Sequence, residues 1–356
     1  MSANPTRRVY AGGAHFKTNA FHYRGGLFRK EVGDAPWESL TRDLPDQVEA
    51  RVIRVHPTQH HVLYVGTQDG VYRSTDGGDR WERLGFSERG VVIWSLEFHP
   101  TRPEVMYAGA APFALWRSTD GGNNWKKVES AISMEHCPMA FPTRGIGIAV
   151  DPAHPDDVYA ALEVSGVMLS RDAGETWQDL SQPLIDLSVK NDHLKSRIQA
   201  DTDASGMLDS HAIVISPAKP GRAFLAVRMG IFTTDDLGQT WKDIEVGRYS
   251  PLTYCRAVIV SKHDPKKMYA GLSPASRSHD GSLFRTLDLG ETWSRYDRGI
   301  KANATMMYIA EHSTDPKQVC CISRCGQVFN TMDDGQTWSE WKLPDNVEDT
   351  YTVACI

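Results

Sequence analysis

Short stretches of alternating apolar and polar residues recur along the chain, several of them closed by a proline turn: Val52–Pro57, Trp94–Pro100, Ile148–Pro152 and Ala212–Pro217. Alternation of period two marks strands with one buried face. Runs of a second kind carry a tyrosine and end in glycine, as at Val9–Gly12, Leu63–Gly66, Val105–Gly109 and Met268–Gly271. A third, shorter run follows, as at Gly70–Arg73, Ala114–Arg117 and Gly326–Phe329. The order of run types repeats, which predicts small antiparallel sheets in series rather than one large sheet.

The repeat is punctuated by a fixed turn. Ser74–Trp81, Ser118–Trp125, Ser170–Trp177, Thr234–Trp241, Thr286–Trp293 and Thr331–Trp338 all read Ser/Thr-x-Asp-x-Gly-x-x-Trp. The Asp accepts hydrogen bonds from backbone N–H groups of its own turn, the Gly takes a positive φ, and the Trp opens the next strand and packs between sheets. A worn seventh copy lies at Phe28–Trp37, with Val32 where the Asp belongs. Units of roughly 45–65 residues match four-stranded blades. The run Tyr351–Ile356 reads as an innermost strand with no blade behind it, and Val9–Gly12 as a second strand with no innermost strand before it. The expected fold is therefore all-β: residues 1–356 as one seven-bladed β-propeller domain with Asp-box turns. Its C-terminal strand completes the N-terminal blade, a three-plus-one closure that hides both sheet edges.

These boxes resemble the BNR/Asp-box repeat superfamily, which contains sialidases, sortilin-type receptor ectodomains, plant-cell-wall glycoside hydrolases and photosystem II assembly factors. The resemblance spans nearly the whole chain, but it implies a fold and not a function, because the box is a turn on the blade rim. The Arg-Ile-Pro segment of sialidases is missing, as are the secretory signal and disulfide-rich tail of sortilins. A soluble, cytoplasmic member is the expectation.

Composition agrees. The net charge of −6 provides no basic field for nucleic acid. No run of 18 apolar residues predicts a membrane span, and the polar N-terminus reads as no secretory signal. The six cysteines lack zinc-finger spacing and read as buried thiols.

Chemistry is sought where the channel of a propeller opens. Long loops at about 128–144 and 180–210, with others at about 13–25 and 273–281, all fall at one end of the ring and suggest a lid over the channel mouth. Aligning the innermost strands puts Arg51, Trp94, Ile146, His211, Arg256, Met306 and Tyr351 at one level, with Arg144 two residues before Ile146 on the same face. Arginine, histidine, tyrosine and tryptophan in one ring point to a ligand with an anionic group and a flat or apolar part. His211, Arg256, Arg144 and Tyr351 are the catalytic candidates, with His211 as general base and the arginines stabilising negative charge. Arg51, Trp94, Arg228, Arg277, Arg324, Tyr254 and Phe113 are the substrate-binding candidates. His15, His22, His136, His211 and His279 are candidate ligands for a divalent metal (Zn, Fe or Mn), although no spacing motif groups them. The favoured reading is a cytoplasmic hydrolase or lyase acting on a small anionic or aromatic substrate. The alternatives are a non-catalytic propeller docking a protein partner through an Arg-rich face, and a glycoside hydrolase using Glu163 and Asp209.

Overall fold

The computed structural model describes residues 6–14, 25–131, 136–198, 202–344, 347 and 349–356. Its strands form seven sheets. The innermost strands, in blade order, are Thr350–Cys355, Val52–Val55, Val92–Phe98, Arg144–Val150, Ser210–Ile215, Tyr254–Val260 and Met306–Glu311. Each touches the next, and the last touches the first, so the ring closes. In blade 1 the C-terminal strand pairs antiparallel with Arg8–Gly13, Ala354 opposite Tyr10, as the orphan runs required. Blade 3 departs from four strands: Gly85–Phe86 adds a short parallel strand beside Asn124–Lys127, seated by stacking of Phe86 on Trp125 at 5.0 Å.

The Asp-box is a hydrogen-bond cage. In the first copy the Ser74 hydroxyl accepts from the Gly78 N–H at 2.8 Å, and Asp76 accepts from the N–H groups of Asp79 and Arg80, both at 3.0 Å. Burial raises the Asp76 carboxyl, and these donors outweigh it and hold it below the usual carboxylate range. Two successive residues of each box are left-handed, not the glycine alone. Ala173, Leu237, Leu289 and Asp334 hold φ near 60° where the first two boxes have Gly77 and Gly121. The cage therefore imposes a conformation that L-residues rarely adopt.

The tyrosine–glycine strands lock neighbouring blades. The Tyr10, Tyr64 and Tyr107 hydroxyls donate to Gly77, Gly121 and Ala173 carbonyls in the box of the next blade, at 2.8, 3.2 and 2.9 Å. The glycine of the same motif admits the next innermost strand: a Cβ on Gly109 would lie 2.3 Å from the Gly145 carbonyl oxygen. Seven apolar clusters built this way alternate with the sheets around the ring.

The described parts of both long insertions pack onto blades 4 and 5. The second contains a helix, Gln182–Lys190, begun by Pro183 in its first turn, and a shorter one, Ser205–Leu208. Leu184, Leu194, Met207 and Leu208 are buried there, and Met139 and Phe141 of the first insertion pack against the same cluster. No helix among the described residues is long and apolar enough to cross a membrane.

Candidate functional site

At one level of the channel the innermost strands break register. Ser95 pairs with Gly109 and Ile93 with Ala110, which leaves Trp94 as an extra residue. Ile146, His211, Arg256, Met307 and Tyr351 are extra in the same sense in blades 4, 5, 6, 7 and 1. Blade 2 reaches this level with Arg51, whose N–H donates to Gly66 just before the ladder begins. A β-bulge re-aims the side chain it carries, and here six bulges and Arg51 put seven side chains at the channel. This is the ring the sequence alignment located, with one correction. In blade 7 the position belongs to Met307. Met306 pairs with Ser323 and turns into the core between blades 6 and 7, because the bulge falls one residue later than an unbulged alignment assumes.

The ring has an aromatic centre. The Trp94 indole meets Tyr351 edge-on at 5.3 Å, and the Arg51 and Arg144 guanidiniums lie 5.0 and 4.5 Å from its ring. Phe141, from the first insertion, covers Arg144 at 4.6 Å. These cation–π contacts hold two positive charges beside one flat surface.

Charge pairs roof the ring. Glu163 takes Arg144 on one carboxylate oxygen and Arg256 on the other, the latter at 3.3 Å. Asp209 takes Arg228 at 3.1 Å and faces His211 Nε2 at 3.4 Å. Arg324 and Arg277 share Asp349, and Arg51 pairs with Glu49. Burial raises the Asp209 carboxyl, yet His211, Arg228 and Arg256 outweigh it and keep it below the usual range. Burial opposes the Arg256 charge, and the anionic groups around it, Glu163 and Asp209 among them, hold it more firmly protonated than an ordinary arginine. His211 is enclosed: Nδ1 is 2.7 Å from the Cys255 carbonyl, Nε2 is 3.2 Å from the Tyr254 hydroxyl, and none of the side chain reaches solvent. Burial pushes the Tyr254 phenol up, so it stays a neutral donor.

Not every donor is spoken for. Arg51 Nε and Nη1, Trp94 Nε1 and the Tyr351 hydroxyl are buried with no hydrogen-bond partner among the described residues. Other buried groups share this, Trp116, Trp125 and Tyr159 among them, but they lie in the blades, whereas these three meet at the channel. All three side chains border one cavity of about 710 Å³. The cavity does not lie under the insertions. It runs from the ring through the channel to the proline turns at the opposite end, where Pro57, Pro100 and Pro217 border it.

Other candidates separate. Phe113 is half-buried and packs against the apolar cluster between blades 3 and 4. Arg277 is exposed at the roof's edge. His15 and His22 lie outside the described residues. His136 pairs with Asp179 at 2.8 Å, His279 is exposed, and His211 is enclosed as above. Among the described residues no group of three or more His, Cys, Asp or Glu is placed to hold a metal ion. Sequence reasoning passed over Arg54, Glu97 and Tyr308, which line the same cavity farther down. The signal was present, since Arg54 and Glu97 stand three residues after Arg51 and Trp94, where other blades carry Ala, Val or Ile.

Fold and site together define a seven-bladed Asp-box propeller whose channel ends on a cationic, aromatic ring. No model of a known protein family matches the chain. It is 22% identical over 250 residues to the oligoxyloglucan-reducing end-specific xyloglucanase of Emericella nidulans, covering 66% of this chain and 28% of that enzyme. The GH74 enzyme of Niastella koreensis superposes with a TM-score of 0.62 at 17% identity, over 82% of this chain and 45% of that one. YCF48 from Cyanidioschyzon merolae gives 0.57 at 15% identity, over 86% and 88%. The chain thus shares its propeller fold with these proteins and a distant sequence similarity with the xyloglucanase, and it spans well under half the length of that enzyme.

Proposed function

We propose that the ring at the end of the channel is a recognition site for a small anionic molecule with an apolar or aromatic body. One observation carries this reading: donors of Arg51, Trp94 and Tyr351, buried and without partners, gather around one indole at the end of a cavity of about 710 Å³. An anionic oxygen would satisfy them, and the indole and Tyr351 give a flat group surfaces to stack on. Calorimetric titration with benzoate, phosphate and sulfate tests it. Benzoate is expected to bind at one equivalent, and Arg51→Met to abolish the heat. Failure of all three anions to bind at millimolar concentration, or undiminished benzoate binding to Arg51→Met, overturns it.

A second reading, a hydrolase, is supported by the distant sequence similarity to a xyloglucanase and by the chain of contacts Asp209–His211–Tyr254 beside Arg256. It asks more of the site. The charged oxygens of Glu163 are both engaged by arginines, and Asp209 is held low, whereas a glycosidase general acid needs a raised carboxyl. Turnover of carboxylate-bearing aryl esters or glycosides that disappears in Arg256→Met would establish this second reading in place of simple recognition.

A further inference from the structure

Below the ring the channel is a sleeve. Three residues on from the ring, the innermost strands present Ala149, Val214, Ile259, Ala310 and Ala354 in five blades, all bordering the cavity. In the other two blades the same level carries Arg54 and Glu97. These two are not equivalent in their bonding. The Arg54 guanidinium donates to the Tyr308 hydroxyl and to the Ile53 carbonyl, and lies 5.6 Å from the Tyr308 ring. Glu97 has less. One oxygen accepts from the Phe98 N–H at 3.3 Å, and the other has only a loose approach of Arg54 at 3.8 Å. A third of the Glu97 side chain is exposed, on a wall that is apolar in the other five blades at this level, with Arg54 and, farther off, Lys262 as the nearest positive charges. A charged acceptor with a spare oxygen, facing an apolar sleeve, costs desolvation unless a donor meets it. Enclosure pushes the Glu97 carboxyl up against the pull of Arg54, as expected of a carboxylate short of partners.

The geometry sets a length. Three strand residues rise roughly 10 Å, so the donors at the ring and the acceptor at Glu97 are that far apart along one cavity. The cavity reaches the proline turns at the end away from the insertions, while at the ring end its lining stops at Arg51, Trp94, Ile146, His211, Arg256 and Tyr351, next to the ion pairs of Glu163 and Asp209.

We propose that Glu97 is a specificity-determining residue, and that the ligand is an amphipathic acid roughly 10 Å long, entering from the proline-turn end, anion first, with an apolar body in the sleeve and a hydroxyl or ammonium at its tail for Glu97. This rests on the reading of the ring as an anion site, and it adds what stands at the other end of the ligand. Ring and sleeve then select together, since an acid without a tail donor leaves Glu97 unmet and a donor without an acid leaves Arg51 unmet.

Two probes that differ only in the tail decide it: 3-phenylpropanoate and 3-(4-hydroxyphenyl)propanoate, titrated calorimetrically. The unmodified protein should bind the hydroxylated acid about tenfold more tightly, the usual effect of one hydrogen bond to a charged group. Glu97→Leu should erase that ratio and still bind 3-phenylpropanoate, and Glu97→Gln, which keeps an acceptor, should retain part of it. Ala310→Phe, which fills the sleeve, should weaken both probes together, and Arg51→Met should do the same from the other end. Equal binding of the two probes to the unmodified protein, or a ratio unchanged in Glu97→Leu, overturns the role of Glu97 and leaves the ring as an anion site. Full binding of both probes to Ala310→Phe places the body outside the sleeve and overturns the orientation. Full binding to Arg51→Met overturns the anion site and this inference with it. A melting curve for each variant shows that it is folded.

Discussion

Two levels of the same seven strands, five residues apart, are built by opposite rules. At the ring the strands carry Arg51, Trp94, Ile146, His211, Arg256, Met307 and Tyr351, and the donors of three of these lack partners among the described residues. At the proline turns they carry His56, His99, Asp151, Ser216, Ser261 and His312 in six blades, and each of these caps the turn that follows. His99 Nδ1 accepts the N–H groups of Thr101 and Arg102 at 3.2 and 3.1 Å, and His312 does the same for Thr314 and Asp315. Asp151 and Ser261 do so with oxygen. Different residue types thus perform one structural task at the turns, and at the ring different residue types leave a task undone. Variety alone does not mark a site; unmet donors gathered on one cavity do, which sets the ring apart from single partnerless groups in the blades such as Trp116 and Tyr159.

Substitutions should split along this line. Arg51→Met is expected to give the largest effect, a loss of anion affinity of about tenfold to a hundredfold, as for a hydrogen bond to a charged group. The melting temperature should fall only by what the Glu49 pair and the Trp94 contact contribute, because the Nε and Nη1 donors are unused in the protein. An equal fall in melting temperature would place Arg51 among the structural residues. Ser261→Ala should do the reverse. Its hydroxyl accepts from His263 and Asp264 and donates to the buried Glu311 at 2.8–2.9 Å, so its removal should cost about 1–3 kcal/mol in denaturant unfolding and leave binding intact.

Acid separates the two levels again. Burial lowers His56, His99 and His312 below the ordinary histidine value, with neighbouring charge as the smaller cause. Each Nδ1 must be unprotonated to accept, so the unfolded chain binds more protons than the folded one. Their contribution is then full above about pH 6.5 and lost as the pH falls from there through the lowered folded values. The melting temperature should drop over that window, and drop less in a His56→Asn, His99→Asn, His312→Asn triple variant, whose amides accept without titrating. The ring should not follow, since arginines stay charged: benzoate affinity should be flat from pH 6 to 9. A histidine-centred site would strengthen toward pH 6 as the imidazole gains charge, and a metal-centred one would weaken as its ligands take up protons. The smallest expected effect is Trp94→Phe, which keeps a flat surface and deletes one donor, for a loss of a few-fold in affinity.

The repeat, the closure and the level of the ring were legible in the sequence because each rests on local chemistry: a Ser/Thr-x-Asp-x-Gly turn, an unpaired strand at Tyr351, a period of two. The bulge was not, since Met306 and Met307 are the same residue type and only register distinguishes them. The ion-pair roof was not either. Glu163 meets Arg144 in its own blade but Arg256 two blades on, and no spacing announces that meeting. The side of the ring on which the cavity lies was read from loop length, which favoured the insertion end. The cavity's lining runs instead from the ring to the proline turns, where small side chains such as Ala149, Ala310 and Ala354 leave the channel open.

A crystal structure of the protein soaked with 3-(4-hydroxyphenyl)propanoate tests the central claim most directly. The expected result is one molecule inside the channel, its carboxylate against Arg51, Trp94 and Tyr351 and its ring below them. Density at the insertion end, above Glu163 and Asp209, with the channel holding only water, would contradict it.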